Sequence, residues 1–416
     1  MLNLNKIGSF ISSTRKELGI TQQQLAEKLH VTFQSVSKWE KGTTSPSIDA
    51  LYDLSIALEV SVDEILRGER IESDGFSYSK SGVDITYTDT IKQEMKQHLL
   101  TDDRRVLNGL GPFASLYDIN FPSISEPVLV LKSEEPGSKQ KLAMEFGYTE
   151  SICHDMINHL VNDIVVMGAK PLAVLDTIIC GKAEKDTINS LVKGMSEACK
   201  LNECSLVGGE TSIQPLVLDA GTYVLTSSIA GIAEKARVID GSKIEEGDAV
   251  LAIASNGLHT NGYSLVRLLM DKMPHIKLDK INGMTFIEHI MKPHTSYYKS
   301  LKNLLDTDIL HGMAHITGGG IAGNLNRVIP DRLCAKIDLS KLKVLDVFKY
   351  IKSIGNITDR EMLQTFNCGV GFILVVPQTC KDLVVKHIKQ SHDCYEIGIV
   401  EMGTYKVTFE NKLNWL

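Results

Sequence analysis

Hydrophobic positions along this chain follow two different rhythms, and the change of rhythm divides it. From Ile7 to Leu66 the apolar positions recur at helical spacing. Ile7, Phe10, Ile11 and Leu18 share one face of a helix that should end near Gly19. Thr21 is a natural N-cap for a second helix, Gln22 to Leu29, because its hydroxyl can accept from an otherwise unpaired backbone N–H; Gln24 completes the capping-box spacing. His30 and Val31 turn the chain into Thr32, which caps a third helix running to about Glu40, before the stop signals Gly42 and Pro46. Leu51, Leu54, Ala57 and Leu58 mark a fourth helix, and Ser61 to Leu66 a fifth. Gly68 to Gly82 is rich in Gly, Ser and charge and reads as a domain boundary, with Tyr78 at its far side.

From Val128 onward short β-branched runs alternate with longer helical patterns and glycine-bearing turns, an α+β texture. VLVLKS, KPLAVLDTII, TYVLTSSIAGIA, DAVLAIAS and GVGFILVVP are the clearest strands; INHLVNDIVVMGA and DTINSLVKGMSEACKL are the clearest helices. The organisation expected is a helical domain over 1–68, a linker over 69–82, one α+β half over 83–233 and a second over 245–410.

Composition narrows the picture. The 416 residues carry a formal net charge of −7, which excludes a chain coated for indiscriminate nucleic-acid binding. Met1 to Arg70 holds eight Lys/Arg against nine Asp/Glu, so any DNA affinity there must come from a locally oriented face. The eight cysteines are scattered without a CxxC pair, as in a reduced, cytoplasmic protein. No apolar run is long enough for a signal peptide or a membrane span, so no membrane partner is expected.

The stretch from TQQQLAEKLHVTFQSVSKWEKG to SVDEILRG resembles the Cro/repressor-type helix-turn-helix family. The resemblance implies that the helix starting near Thr32 enters the major groove of double-stranded DNA. Gln34, Ser35, Ser37 and Lys38 would then face bases or phosphates, while Gln22 and Gln23 clamp the backbone; Gln suits adenine and Lys suits guanine or phosphate. Val36 and Trp39 read as core.

Seven motifs stand in order in the remainder: GLGPFASL (109–116), EEPGSKQKLAM (134–144), HDMINHLVNDIVVMGAKPLAVLD (154–176), SLVGGET (205–211), SNGLHTNGYSLVR (255–267), HITGGG (315–320) and EMLQTFNCGVGFIL (361–374). The glycines let backbone N–H groups approach phosphate oxygens that a Cβ would hold off. Asp155 and Asn162 stand seven apart, two helical turns, and carboxylates facing a triphosphate suit Mg²⁺; Lys139 offers a point charge for phosphate.

Together the seven motifs resemble the phosphoribosylformylglycinamidine cyclo-ligase (aminoimidazole ribonucleotide synthetase) family from about Tyr78 to Gly403. That resemblance implies an α+β module with an N-terminal half that completes a β-barrel in a homodimer and a C-terminal α/β subdomain. It implies ATP and Mg²⁺ as cofactors and a small ribonucleotide as ligand. ATP phosphorylates the formyl oxygen of formylglycinamidine ribonucleotide, and a nitrogen of the amidine then closes the imidazole ring as phosphate leaves. By position, Glu134, Lys139, Asp155, Asn162 and Asp163 belong to the ATP site, with Glu134, Asp155 and Asp163 as metal ligands. Gly208, Gly209, Asn261 and Gly318, Gly319 and Gly320 would also bind nucleotide or phosphate. Glu210, Thr211, His259 and Asp219 are the catalytic candidates, and Ser255, Gly262 and Tyr263 lie near substrate.

The pattern also departs from the family's. Its DGVGTK loop reads Glu134-Glu135-Pro136-Gly137-Ser138-Lys139; Asp219 and Val224 replace a histidine and an aspartate; its GGLGGF loop reads Asn108 to Phe113. Losing one preorganised charged group commonly costs on the order of 3 kcal/mol of transition-state stabilisation. Two functions are therefore open at this point. One is a working cyclo-ligase with an added DNA-binding domain. The other is a transcription regulator whose altered enzyme half senses a purine precursor or nucleotide, its two-fold dimer presenting reading helices to half-sites about 34 Å apart.

Overall fold

The computed structural model describes residues 3–71, 81–109 and 113–415. Most of the expected linker, with Tyr78, and Leu110-Gly111-Pro112 of the GLGPFASL motif lie outside them. The chain divides into two compact units, Met1–Ser77 and Tyr78–Leu416.

The first unit is five helices: α1 (Leu4–Glu17), α2 (Gln22–Lys28), α3 (Phe33–Glu40), α4 (Ile48–Ala57) and α5 (Val62–Arg67). Each starts at a side chain that accepts from the first turn: Asn3, Thr21, Thr32, Ser47 and Ser61. Thr21 and Ser61 close full capping boxes with Gln24 and Glu64. The helices bury Ile11, Leu25, Val36, Leu54, Leu58 and Ile65 completely, each stabilising the fold by roughly 1.5–3 kcal/mol. Helix α1 crosses α3 so closely that a Cβ at Gly8 would lie 2.3 Å from the Trp39 carbonyl. Arg15 and Glu40 form a nearly buried bidentate pair, Nε–Oε1 2.5 Å and Nη2–Oε2 3.1 Å, which ties the end of α3 to α1.

In the second unit α6 (Ile85–His98) precedes a four-stranded sheet and two long helices: β1 (Pro127–Glu134), α7 (Lys139–Phe146), α8 (Thr149–Val165), β2 (Lys170–Cys180), α9 (Lys185–Leu201), β3 (Ser205–Ile213) and β4 (Tyr223–Glu234). The strand order is β1-β4-β2-β3, with β2 and β3 parallel and the other pairs antiparallel. Helices α8 and α9 pack together over one face. Their stripes bury Ile152, Met156, Leu160 and Ile164 against Ile188, Leu191 and Met195. β1 alternates face by face: Val130, Lys132 and Glu134 are partly covered, while Leu129, Leu131 and Ser133 point outward.

A second sheet follows, from β5 (Ala249–Ala254), α10 (Tyr263–Lys272), a short hairpin of β6 (Lys280–Ile281) and β7 (Met284–Thr285), α11 (Phe286–Ile290), α12 (Tyr298–Leu301), β8 (Gly312–His315), α13 (Gly320–Leu325), β9 (Leu333–Asp338), α14 (Asp346–Gly355), α15 (Asp359–Thr365), β10 (Val370–Val376), α16 (Lys381–Ile388), β11 (Cys394–Met402) and β12 (Val407–Glu410). Its order is β12-β9-β11-β5-β10-β8. The central strands β5 and β10 are buried almost along their whole length, which is why they read as unbroken apolar runs. One apolar core runs through both sheets.

The expected strands and long helices all occur. Helix α6 carries no named expectation, because its only fully buried side chain is Ile91 and a single apolar position gives no period. SLVGGET, which carries no strand expectation, forms strand β3, held by parallel pairing to β2. No helix among the described residues is long and apolar enough to cross a membrane.

Candidate active site

Helix α8 brings Asp155, His159, Asn162 and Asp163 onto one stripe, since residues three, four and seven apart return to the same face. Their environments differ. Lys139 and Asp155 form an ion pair of 2.7 Å with both side chains 0% exposed. The ammonium donates to Asp155 Oδ1 and to the carbonyls of His259 and Lys292 at 3.2 and 2.7 Å, so three acceptors surround it. Asp155 Oδ1 also accepts from the His294 amide at 2.8 Å. Burial pushes the Asp155 carboxyl up to about 6 and the Lys139 amine down, and their mutual attraction opposes both shifts.

Asn162 does related work two turns further on. Its Nδ2 donates to the Thr295 carbonyl at 2.8 Å and its Oδ1 accepts from the Tyr297 amide at 3.0 Å. Asn158 Nδ2 donates to the His294 carbonyl at 2.6 Å. Asp155, Asn158 and Asn162 thus fasten the 292–297 segment of the C-terminal half onto α8. The expected metal ligand Asp155 and the expected nucleotide-facing Lys139 and Asn162 are shut from solvent: Lys139, Asn162 and Asp155 Oδ1 meet internal partners, while Asp155 Oδ2 is buried without one.

Asp163 and Glu134 remain available. Lys132 Nζ stands 3.0 Å from an oxygen of each, and the three side chains are partly exposed. His159 Nε2 lies 3.7 Å from Glu134 and 3.6 Å from Asp163. Asp163 Oδ1 also accepts from His315 Nδ1 at 2.8 Å. Burial opposes ionisation of Asp163, but the hydrogen bond from His315 and the neighbouring positive charges hold its carboxyl well below the usual range. Burial pushes His159 down to about 4, leaving a neutral ring at neutral pH.

The sheet adds a second part. Glu134 and Asp176 both pair with Ser227 of β4, so they stand in one row across β1, β4 and β2. A cavity of about 860 Å³ lies on the sheet, lined by Leu131, Lys132, Leu175, Asp176, Gly209 and Glu210 among others; of the row, Asp176 reaches it. Burial raises the Asp176 carboxyl to about 7, with a smaller push from Glu210. Gly209 is needed because a Cβ there would sit 2.0 Å from Asp176 Oδ1. Glu210 and Thr211 line a smaller cavity of about 310 Å³ against α6, together with Asp176 and Gly209.

In the C-terminal half, His259 is buried with φ 61° and neither ring nitrogen has a partner. Asn261 Nδ2 is likewise buried and unpartnered. A Cβ at Gly318 would lie 3.3 Å from Asn261 Oδ1, so the glycine turn and Asn261 are neighbours. Gly319 and Gly320 adopt φ 92° and 62°, and a Cβ on Gly320 would fall 1.8 Å from the Leu363 carbonyl. Asn324 Nδ2 fixes the turn through the Thr317, Gly318 and Gly320 carbonyls. Ser255 donates to Asn367 Oδ1, and Tyr263 is buried with its hydroxyl on the Ile290 carbonyl.

Asp219 is not brought to this site. It lies in the exposed turn between β3 and β4, beyond the Cys180–Tyr223 pair. That pair is four residues along β2 from Asp176, about 13 Å of strand. A position matched in sequence across a rewritten loop did not keep its place in space. His159, His294, His315, Lys132 and Asp176 carry no individual expectation from the sequence. His159 could have been found from its place four residues from both Asp155 and Asp163, whereas His294 sits in a loop without periodic signal.

In the first unit Gln34 and Lys38 are exposed on α3, Ser35 and Ser37 partly so, and Gln23 is exposed at the start of α2. Val36 and Trp39 are buried. Gln22 is not free: its Nε2 donates to Glu40 Oε2 at 2.6 Å. Ser35 Oγ is 2.9 Å from Thr32 Oγ1 at the helix cap.

Comparison with known proteins places these features. Residues 11–65 match a helix-turn-helix family, residues 128–233 the N-terminal domain of AIR synthase related proteins and residues 245–409 their C-terminal domain. A phosphoribosylformylglycinamidine cyclo-ligase of Methylobacillus flagellatus is 41% identical over 307 residues, 73% of this chain and 88% of that one. Its counterpart in Bacillus mycoides is 38% identical over 338 residues, 80% of this chain and 97% of the relative. The fold is shared with the hydrogenase maturation protein HypE, solved in complex with ATP: TM-score 0.55 at 16% identity, over 79% of this chain and 92% of that one.

Proposed function

The chain belongs to the phosphoribosylformylglycinamidine cyclo-ligase family, and from that premise we propose how its residues serve an ATP-dependent, ring-closing C–N ligation in purine biosynthesis. The substrate in this reading is formylglycinamidine ribonucleotide and the product aminoimidazole ribonucleotide. The observation that carries the reading is the row Glu134–Ser227–Asp176, with Lys132 bridging Glu134 to Asp163 and with Lys132 and Asp176 reaching the 860 Å³ cavity.

Glu134 and Asp163 are the residues that fit Mg²⁺. They are oxygen donors, partly exposed, and already converge on one cation, the Lys132 ammonium. When bound with ATP, the ion offsets phosphate charge during phosphoryl transfer. The Gly318–Gly319 backbone and the unpartnered Asn261 amide are suited to phosphate oxygens, whereas the Gly320 N–H already donates to the Thr317 carbonyl. Glu210 and Asp176, whose carboxyl burial raises to about 7, are the groups placed to move a proton at the cavity. The Lys139–Asp155 pair and Asn162 hold the two halves in register, so their contribution is positional.

Homodimerisation fits the outward face of β1. Leu129 and Leu131 are 53% and 72% exposed, and Leu175 of β2 adds to the same apolar area. A second sheet laid against it would complete a barrel and roof the 860 Å³ cavity, which Leu131 and Leu175 also line. The helix-turn-helix unit supplies sequence-specific binding to double-stranded DNA through Gln34, Ser35, Ser37 and Lys38, with Gln23 at the backbone.

The test is a purified-protein assay with formylglycinamidine ribonucleotide, ATP and Mg²⁺. Ring closure at rates of order 1 s⁻¹ or more supports the enzyme. Binding of ATP and ribonucleotide without product selects the other reading, a regulator using an altered pocket as sensor. The replaced Glu134–Glu135–Pro136 segment favours that alternative.

A further inference from the structure

Behind the nucleotide-facing carboxylates four histidines converge. The rings of His159, His259, His294 and His315 lie with centroids 4.0 to 5.3 Å apart. Three of them, His259, His294 and His315, are buried and each offers a ring nitrogen within 4.8 Å of the others. A neutral imidazole nitrogen can donate a lone pair to a metal.

The hydrogen bonds around the cluster leave a polarity problem that a cation resolves. Asp163 Oδ1 can only accept, so His315 donates from Nδ1 and turns the lone pair of its Nε2 inward. His294 Nε2 is 2.8 Å from that nitrogen and must then donate to it. This leaves His294 Nδ1 as an acceptor for Thr260 Oγ1, at 3.4 Å. Thr260 in turn accepts from His159 Nδ1 at 3.0 Å, so the lone pair of His159 Nε2 faces the carboxylates of Glu134 and Asp163. The chain ends 3.6 and 3.7 Å from the two carboxylates, beyond hydrogen-bond distance, and His259, with two buried nitrogens that meet no partner, is left out altogether.

We propose that His259, His294 and His315 bind one divalent transition-metal ion of the zinc or ferrous class, with Asp163 and Thr260 orienting the rings. With an ion on the inward nitrogens, His294 carries its proton on Nδ1 and donates to Thr260. Thr260 then donates to His159, and His159 turns an N–H toward the two carboxylates. Every link is satisfied, and two of the three ligands gain the outer hydrogen bond that metal-bound imidazoles normally make. Nitrogen-rich donors select zinc, iron, cobalt or nickel over magnesium, so this ion is distinct from the one expected with ATP. A second grouping, His159, Asp163 and His315, is less suited: it would break the Asp163–His315 bond, and Lys132 already neutralises that carboxylate. His259 is the ring that must tilt, because it lies stacked on His294 and coordination requires the ion near each ring plane. Nothing holds it by a hydrogen bond.

The experiment uses the full chain, stripped with chelator and titrated with Co²⁺, followed by visible absorption and by elemental analysis. One equivalent per chain is expected, with ligand-field bands that Zn²⁺ abolishes and Mg²⁺ does not. His294→Ala and His315→Ala should weaken binding more than 100-fold and Thr260→Val by about 10- to 100-fold, whereas exposed His275→Ala should leave it unchanged. Substoichiometric or absent uptake overturns the proposal, as does uptake that survives His294→Ala. Should the variants fail to fold, the wild-type chain decides alone. An unfolding midpoint that rises with Zn²⁺ over chelator supports the site, and one that does not move refutes it. ATP binding is measured separately and is expected with or without the ion, so failure here leaves the ligase reading intact.

Discussion

Lys139 and Asp155 face each other at 2.7 Å with neither side chain open to water, at the place where the 292–297 segment crosses α7 and α8. Such a pair adds little over a well-packed apolar substitute, but breaking it strands a charge in the interior. Lys139→Ala is therefore expected to destabilise the second unit by about 3–5 kcal/mol. Lys139→Met with Asp155→Leu should recover most of the loss. Urea unfolding of the two variants checks this; equal destabilisation by both would show that packing, rather than the stranded carboxylate, carries the effect.

Lys132 occupies the position between Glu134 and Asp163 that the Mg²⁺ reading assigns to the ion. Two cations cannot share it, so the ammonium must swing away when the metal binds. Lys132→Met should lower the Mg²⁺ concentration for half-maximal ATP binding by about tenfold, or about 1.4 kcal/mol, a modest value because the site is partly exposed and screened. Calorimetric titration of ATP at graded Mg²⁺ gives the number. An unchanged or raised Mg²⁺ requirement would place the ion elsewhere.

Both units were legible in sequence wherever burial imposes a period. The caps Thr21 and Thr32 announced their helices, and unbroken runs announced β5 and β10. The site was legible in part. Glu134 and Asp163 could be named from motif position, but nothing in the spacing of α8 distinguishes Asp163, which meets Lys132, from Asp155, which meets Lys139. That difference is set by which residues of the C-terminal half arrive opposite each turn. Asp219 shows the opposite failure, a residue matched along the chain whose loop carries it past the end of the β2 pairing. His294 was invisible because a loop histidine has no period, and its partners lie 21 and 139 residues away.

Asp176 gives a pH signature. Its carboxyl is raised to about 7 by burial, against about 3.9 for an unfolded aspartate. The folded state therefore holds a proton that the unfolded state has released between those values. The associated stability is fully present below about pH 4 and is lost as pH rises through 7. Asp176→Asn, which mimics the protonated acid, should raise the melting temperature most at pH 8, less at pH 5, and leave it nearly unchanged at about pH 3.5. A shift of equal size at all these pH values would mean that the carboxylate is not the cause.

The DNA-reading unit makes a prediction that separates contact from scaffold. Lys38 is exposed on α3 one turn from Gln34, while Glu40 at the end of the helix holds Arg15 and Gln22 in a buried network. Burial works against ionisation of Glu40, yet the hydrogen bonds from Arg15 and Gln22 hold its carboxyl below the ordinary value. Its stabilising effect is therefore present above the unfolded pKa and lost on acidification. Lys38→Ala should weaken binding to all DNA sequences alike and reduce the slope of log K against log salt by about one, the loss of one phosphate contact. Gln34→Ala should instead relax discrimination at one base pair by about 1–3 kcal/mol with little change in the salt slope. Glu40→Gln should lower the melting temperature of the unit without altering either measure in protein that remains folded. If Glu40→Gln changed base preference while Gln34→Ala did not, the helix would be docked in a different register from the one assigned here.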